Sequence, residues 1–144
     1  MTRRMENRIA LVTGAASGIG KVTADLFETE GAIVIRTDIA SGDHRKLDVA
    51  SALEWQHLVD SFEHDRIDVV VNNAGISPHD NIEKLDRATW DTIRSVVLDV
   101  VMLGCQYTLP LLQNSASGAI VNVSSVAGMI GASEYLSYGA AKAG

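Results

Sequence analysis

Cysteine is nearly missing from this sequence of 144 residues, in which Cys105 is the only one. A single cysteine cannot form an internal disulfide, so the composition predicts a protein of a reducing compartment. Basic residues are also scarce: 12 lysines and arginines stand against 18 aspartates and glutamates, which gives a formal net charge of −6. A nucleic-acid partner calls for a basic face, so we expect none.

The first residues lack a long hydrophobic run. The apolar stretch IALV at 9–12 is too short for a signal peptide or a membrane span, so we expect a soluble, cytoplasmic protein with no membrane partner. Metal ligands are also few. His57 and His64 could share a face of one helix, but no third ligand accompanies them, so no metal site is expected.

What is present is an alternation of short β-branched runs with longer helical patterns. The runs predict strands within residues 8–14, 32–38, 44–49, 66–75 and 118–125. The helical patterns cover residues 19–31, 50–65 and 87–113, and the last helix is expected to end near Pro110. Apolar strands separated by helices predict an α/β fold, a doubly wound, Rossmann-like parallel sheet of about five strands with helices on both faces.

A glycine-rich turn, TGAASGIG at 13–20, lies where the first strand meets the first helix. Gly14, Gly18 and Gly20 allow a tight turn and let a pyrophosphate approach the amides at the helix N-terminus. The spacing is G-x-x-x-G-x-G rather than the commoner dinucleotide pattern. Glycines alone are weak evidence, because a plain strand-to-helix turn would also explain them, but their position directly after a strand favours a phosphate site.

An acidic residue, Asp38, ends the second strand 18 residues after Gly20. An acid at about that distance holds a ribose 2′-hydroxyl in dinucleotide folds, and its charge repels the 2′-phosphate of NADP. The sequence therefore favours NAD over NADP. Arg36, two residues earlier, is the feature that favours NADP. The structural alternative for Asp38 is a solvated residue at the end of a strand.

Four motifs in this order resemble the short-chain dehydrogenase/reductase family: TGAASGIG at 13–20, NNAG at 72–75, SSVAG at 124–128 and YGAAK at 138–142. The resemblance implies a dinucleotide-binding domain over residues 1–144, an NAD cofactor and a small alcohol or ketone substrate. Asn72 is interpreted as structural. Besides the tyrosine and lysine of the last motif, the implied cofactor contacts are Gly14, Ser17, Gly18, Ile19, Gly20, Asp38, Asp48, Val49, Asn73, Ala74 and Gly75.

Of two nearby tyrosines, only Tyr138 has a lysine, Lys142, one helical turn further on, so that both share a face. An ammonium group close by stabilises a phenolate, which suits proton exchange with a substrate oxygen. The resemblance implies that Tyr138 is the acid/base and that Lys142 also holds the nicotinamide ribose. It assigns Ser125 to the substrate carbonyl, while Ser124 is expected on the opposite strand face. Tyr135 is interpreted as substrate-side or surface.

Three features depart from the family pattern. Val97 occupies the position of the usual relay asparagine, and valine cannot hydrogen-bond a relay water. The segment between Asp38 and Asp48 is too short for a helix. The sequence stops at Gly144, so we expect a truncated version of a longer enzyme whose fifth strand is an open apolar edge.

Three functions follow from these observations. The leading one is an NAD-dependent oxidoreductase that moves hydride between the cofactor and a secondary alcohol or ketone. The second, motivated by Val97, is a dinucleotide-binding protein without turnover. The third is a structural role in which the long apolar helix and the exposed fifth strand recruit a partner. A homo-oligomer is expected for a full-length form.

Overall fold

The computed structural model describes residues 3–144, which form one five-stranded parallel sheet in the order β3-β2-β1-β4-β5. The strands are β1 Ile9–Thr13, β2 Ile33–Asp38, β3 Arg45–Lys46, β4 Val69–Asn72 and β5 Ala119–Asn122. The helices are α1 Gly18–Thr29, α2 Ala52–Asp60, α3 Arg87–Arg94, α4 Val100–Gln113 and α5 Leu136–Ala143.

The hydrophobic core lies on both faces of β1, which is buried along its whole length. Leu11 belongs to a cluster with Trp55 of α2 and Val100 of α4. Val12, the next residue, belongs to a second cluster with Ala24 of α1. Successive side chains of a strand point to opposite faces, so β1 supplies both cores. The doubly wound, Rossmann-like class predicted from the sequence is confirmed.

The chain crosses the sheet between β3 and β4. It moves outward from β1 to β2 and β3, then returns to place β4 on the other side of β1. Ligands of such sheets bind at the carboxyl ends of the strands where the order reverses. The turns after β1 and β4 therefore meet at the point where a ligand site is expected.

The two edges of the sheet are short strands. β3 has two residues, and residues 39–44 before it contain bends but no helix, as the length of this segment predicted. At the opposite edge, all four residues of β5 are exposed. β5 is thus an apolar edge strand that pairs with β4 through one side.

The long helix predicted over residues 87–113 is present, but its expected end near Pro110 is wrong. A π-helical turn at Ser95–Asp99 separates α3 from α4, and Pro110 lies inside α4 instead of ending it. Pro110 is exposed, while Thr108 and Leu112 are buried, so packing carries the helix past the hydrogen bond that proline removes.

This helical stretch of 27 residues is long and apolar enough to cross a bilayer. Length and composition are weak support for a membrane segment, because core helices pass the same test. Here Val100 and Leu112 of α4 belong to the core cluster on the sheet.

Candidate active site

A cavity of about 810 Å³ opens at the carboxyl ends of β1, β2 and β4. It gathers most of the residues implied for cofactor binding, although Gly20, Tyr138 and Lys142 do not line it. The predicted residues in its wall are Gly14, Ser17, Gly18, Ile19, Asp38, Asp48, Val49, Asn73, Ala74 and Gly75. Its other lining residues are Ile39, Leu47, Ala50, Ile76, Ser95 and Val96.

Two of the three glycines in the turn are packed so closely that a side chain would not fit. Gly14 has φ +66°, and a Cβ there would lie 2.9 Å from Cα of Ala74. Gly20 is buried beneath the turn, where a Cβ would press on the Gly14 carbonyl and on the Asn73 amide. α1 begins at Gly18 on the cavity wall, so the positive end of its dipole opens onto the cavity. This arrangement suits a pyrophosphate.

Thr13 ties the first turn to the turn after β4. Its Oγ1 accepts hydrogen bonds from the backbone amides of Asn73 and Ala74, each at 3.0 Å. The Asn73 side-chain amide donates to the carbonyls of Thr13, at 2.9 Å, and Gly14, at 3.3 Å. Sequence reasoning missed Thr13. The signal was a hydroxyl residue at the end of a buried strand, directly before the first glycine.

Asn72 takes a structural position, as we interpreted it from the sequence. It is 5% exposed and donates to the side-chain oxygen of Asn122 on β5 at 2.9 Å. Its own side-chain oxygen faces Gly104 of α4, where any Cβ would collide with it. Asn72 thus joins β4 to β5 beneath the site.

Asp38 stands at the edge of the cavity with its carboxylate held by the backbone. One oxygen accepts from the Ala16 amide and the other from the Ala40 amide, both at 3.0 Å. Burial works against ionisation, but these two bonds, together with His44 and the Ile39 amide, outweigh it, so the pKa of Asp38 lies below its ordinary value. Asp38 is therefore a carboxylate at neutral pH.

Arg36 does not join Asp38 at the cavity. Its guanidinium donates to Asp25 at 2.7 Å and to Glu28 at 2.9 Å, both on α1. These bonds raise the pKa of Arg36, with the Glu28 bond the largest cause. Arg36, the residue that favoured NADP in the sequence, is thus bound to two carboxylates of α1.

The Asp48–Val49 pair is fixed by the start of α2. The Asp48 amide donates to the Glu54 carboxylate at 2.6 Å, and the Val49 carbonyl accepts from the buried indole of Trp55 at 2.9 Å. Ser51 caps α2 by accepting from the Glu54 amide at 3.3 Å. Glu54 and Trp55 were missed as supports, although Ser51 and Glu54 have the spacing of a capping box.

Ser124 and Ser125 engage different partners after β5. Ser124 Oγ donates to the Lys142 carbonyl at 3.0 Å. Ser125 Oγ accepts from the Ala127 amide at 3.2 Å and caps a short 3₁₀ turn at Val126–Gly128. Within residues 3–144, no hydrogen bond joins Ser125 to Tyr138.

Tyr138 and Lys142 lie one turn apart on α5, with the Lys142 Nζ 5.9 Å from the centre of the Tyr138 ring. Nζ donates a hydrogen bond to the Val123 carbonyl at the end of β5. Burial lowers the pKa of Lys142, because desolvation disfavours the ammonium. The structure thus brings this pair together, although neither residue lines the cavity at the glycine turn.

Val97 lies in the π-helical turn and is 2% exposed. It forms an apolar cluster with Ile93 and Ala141, and the Tyr138 ring packs against this cluster. The two residues before it, Ser95 and Val96, line the cavity. π-helical turns occur frequently at functional sites, and here the turn lies between the cavity and the tyrosine.

The family model described as short chain dehydrogenase matches residues 8–144. This chain belongs to the short-chain dehydrogenase family. Among curated relatives, it is 39% identical to the cis-4-hydroxycyclohexanecarboxylate dehydrogenase of Sinomonas cyclohexanicum, covering all of this chain and 65% of that protein. It thus spans just under two thirds of the length of this relative.

Solved structures of short-chain dehydrogenases share the fold. The ligand-free aldohexose dehydrogenase of Thermoplasma acidophilum superimposes with a TM-score of 0.92 at 29% identity, over 99% of this chain and 59% of that one. A short-chain dehydrogenase from Shigella flexneri in complex with NADP has a TM-score of 0.90 at 26% identity, over 99% of this chain and 69% of that one.

Proposed function

We propose that residues 1–144 form the dinucleotide-binding domain of an NAD-dependent oxidoreductase acting on secondary alcohols and ketones. The observation that carries the proposal is the single cavity that gathers the glycine turn, the Asp38 carboxylate and the Asn73–Gly75 turn. Membership of the family and a relative that oxidises a hydroxycyclohexane support the substrate class.

The residues of the cavity fit a dinucleotide. Gly14 and Gly20 have no room for a Cβ, which leaves the backbone of the turn free to approach a pyrophosphate. Asp38, ionised at the cavity edge, would accept from a ribose 2′-hydroxyl and repel a 2′-phosphate. Arg36 is engaged with α1 and offers no compensation. The family includes a relative solved with NADP, so the preference for NAD depends on Asp38 of this chain.

The hydrogen bonds around the catalytic residues leave the required donors free. Ser125 Oγ uses a lone pair toward Ala127, so its own proton can be donated to a substrate carbonyl. The Lys142 ammonium donates one hydrogen bond to the Val123 carbonyl and has two further N–H donors for ribose hydroxyls. Tyr138, beside this ammonium, exchanges the proton with the substrate oxygen. The nicotinamide, when bound, supplies or accepts the hydride.

A second function is favoured by one observation, the buried Val97. Its cluster with Ile93 and Ala141 places an apolar surface behind the Tyr138 ring, where the family's asparagine would offer an amide. A protein of this kind would bind the dinucleotide with little or no turnover. Turnover therefore distinguishes the two functions, while dinucleotide binding is common to both.

Location and assembly are part of the same proposal. One half-buried cysteine and the charge of −6 fit a cytoplasmic protein without a nucleic-acid partner. On α4, Met102 and Leu109 are 55% and 48% exposed, a face that would suit a second subunit of a full-length form.

The experiment is a turnover assay with NADH and NADPH on a panel of cyclic and linear ketones, with the reverse reaction on the alcohols. The Tyr138→Phe variant is the test, and Tyr135→Phe is its matched control. Loss of the proton exchange should lower turnover of Tyr138→Phe by at least about 100-fold, with NADH affinity unchanged. Equal losses in both variants, or loss of NADH binding in Tyr138→Phe alone, would overturn the assignment. Binding without turnover in the wild type would favour the second function.

A further inference from the structure

A buried carboxylate joins the loop after β4 to the first turn of α5. Asp80 is 9% exposed and Ser137 is 2% exposed. The Ser137 amide lies 3.2 Å and 3.3 Å from the two Asp80 oxygens, and the Ser137 hydroxyl donates to Oδ2. The backbone of Asp80 donates in turn to the Glu134 carbonyl at 3.0 Å. Neither side chain belongs to the cavity or to the catalytic residues assigned above.

α5 has no side-chain cap of its own. Its N-cap residue is Tyr135, which makes no capping hydrogen bond, and a tyrosine is poorly suited to that role. Asp80 takes the place of a cap from a segment 55 residues or more away in sequence, because it accepts from the amide of the second helical residue, Ser137. A negative charge at this end also interacts favourably with the helix dipole.

The position of this contact connects the two halves of the site. Asp80 follows Asn73 by seven residues in the loop that begins at the cavity wall, and Tyr138 comes directly after Ser137. The Tyr138 ring packs against the apolar cluster of Val97 and Ala141 and lies edge-on to the Tyr135 ring. Apolar packing is non-directional, so it does not by itself set the direction of the hydroxyl.

We propose that Asp80 is a positioning residue, whose carboxylate sets the first turn of α5 through Ser137 and thereby the place of the Tyr138 hydroxyl relative to the cavity. The proposal rests on the proposed role of Tyr138 in proton exchange. Displacement of a catalytic group by about 1 Å can lower a rate by about 100-fold. Asp80 would then govern turnover without touching the substrate or the cofactor.

A role in stability alone predicts a different pattern. Removing a cap destabilises a helix wherever it lies, so Asp86 is a matched control: it caps α3 by accepting from the Thr89 amide at 2.7 Å, and no hydrogen bond joins it to α5 in the part of the chain that the structure describes. Asp80→Ala removes both bonds to Ser137. Asp80→Asn keeps one acceptor for the amide and loses the acceptor for the hydroxyl, so its effect should be intermediate.

The experiment compares Asp80→Ala, Asp80→Asn and Asp86→Ala with the wild type by turnover number, NADH affinity and amide hydrogen exchange of α5. We expect turnover to fall by about 10- to 100-fold in Asp80→Ala, less in Asp80→Asn, and by less than about twofold in Asp86→Ala. NADH affinity should stay within about twofold, and the Ser137 amide should exchange faster only in the Asp80 variants.

Two results would overturn the proposal. One is equal turnover loss in Asp86→Ala and Asp80→Ala, which would mean that general destabilisation is the cause. The other is an unchanged exchange rate of the Ser137 amide in Asp80→Asn, the milder variant that should fold even where Asp80→Ala does not. Hydrogen exchange needs no turnover, so an inactive wild type would contradict the proposed function while the contact of Asp80 with α5 is still tested.

Discussion

The cavity wall differs from the region of β5 and α5, which includes Tyr138, in how its polar groups are held. In the wall, Thr13 and Asn73 connect the turns after β1 and β4 by four hydrogen bonds of 2.9–3.3 Å. These bonds run between backbone groups and the side chains of Thr13, which is buried, and Asn73, which is half-buried. Next to β5 and on α5, two of the side chains proposed as catalytic instead make one hydrogen bond each: Ser125 with Ala127, and Lys142 with Val123.

In the proposed function, cofactor binding would therefore depend mainly on backbone geometry, whereas catalysis would depend on the placement of individual side chains. β1 is buried throughout, and β5 is exposed throughout. Preorganised sites hold their groups through surrounding hydrogen bonds. The cavity wall has that support, while the position of Tyr138 depends on α5 and on the contact between α5 and Asp80. Changes to the wall should therefore affect NADH affinity, and changes near α5 should affect turnover.

The largest effect is expected from Gly20→Ala, which would break the wall. Its Cβ would press on the Gly14 carbonyl and lie 2.5 Å from the Asn73 amide nitrogen, so the turn must move. NADH affinity, measured by fluorescence titration, should fall by at least about 30-fold, because a rigid backbone site loses several contacts together. Gly131→Ala is the control, since nothing lies within 4 Å of its Cβ. Equal affinities for both variants would show that the turn is not the binding site.

Asp38→Ala should change the choice of cofactor. Removing the carboxylate removes a bond to the ribose 2′-hydroxyl and the repulsion of a 2′-phosphate. The ratio of NADH to NADPH affinity should fall by at least about tenfold, roughly 1.4 kcal/mol. Asp43→Ala is the control, an exposed carboxylate in the same connection that does not line the cavity. An unchanged ratio would contradict the role of Asp38.

A smaller effect is expected from Val97→Asn, which tests the region of Tyr138 instead of the cavity wall. The amide would lie next to the Tyr138 cluster and offer the hydrogen bond that valine lacks, so turnover should rise a few-fold. Burial of an amide among Ile93 and Ala141 should cost about 1–3 kcal/mol of stability. A turnover assay measures the first effect, and thermal unfolding measures the loss of stability. Val97→Thr, smaller and with one hydroxyl, serves as control, and a fall in turnover in both variants would argue against a missing relay group.

The smallest effect on the site is expected at Asp68, which contributes to the acid stability of the scaffold. Burial opposes ionisation of Asp68, but bonds from Ser115, the Ile9 amide and Arg66 outweigh it, so its pKa is lowered. A lowered pKa gives stability that is present above the ordinary aspartate value of about 3.9 and is lost as pH falls through the folded-state value.

Asp68→Asn should therefore cost about 1–3 kcal/mol at pH 7, and the difference from the wild type should shrink below about pH 4. Urea unfolding between pH 7 and 2.5 measures this. Asp65→Asn, an exposed neighbour, is the control. A difference that stays constant with pH would contradict the assignment, and NADH affinity should not change, because Asp68 lies at the opposite end of β4.

The fold and the cavity wall could be predicted from the sequence because backbone geometry carries them. Gly14, Gly20 and the Asn73–Gly75 turn are short-range patterns next to apolar strands, and the structure places the predicted strands in one parallel sheet. The π-helical turn at Ser95–Asp99 could not be predicted, because residues 87–113 have an ordinary helical pattern. The predicted helix end near Pro110 was wrong for a similar reason, since only tertiary packing shows that the position of Pro110 is exposed.

The contact between Asp80 and Ser137 was equally invisible in the sequence. The two residues are 57 positions apart, and neither belongs to a family motif quoted above. Long-range polar pairs depend on how loops close over helices, which periodicity does not encode. Glu54, by contrast, follows Ser51 at the spacing of a capping box, a pattern that could have identified it as a support of Asp48.

The most direct test of the central claim is a fluorescence titration of the wild-type chain with NADH, followed by competition with NAD and NADP. A preformed wall around the cavity predicts saturable binding with one site per chain, displaced more readily by NAD than by NADP. A linear response without saturation, or binding that Gly20→Ala leaves unchanged, would contradict the claim that the cavity is a dinucleotide site.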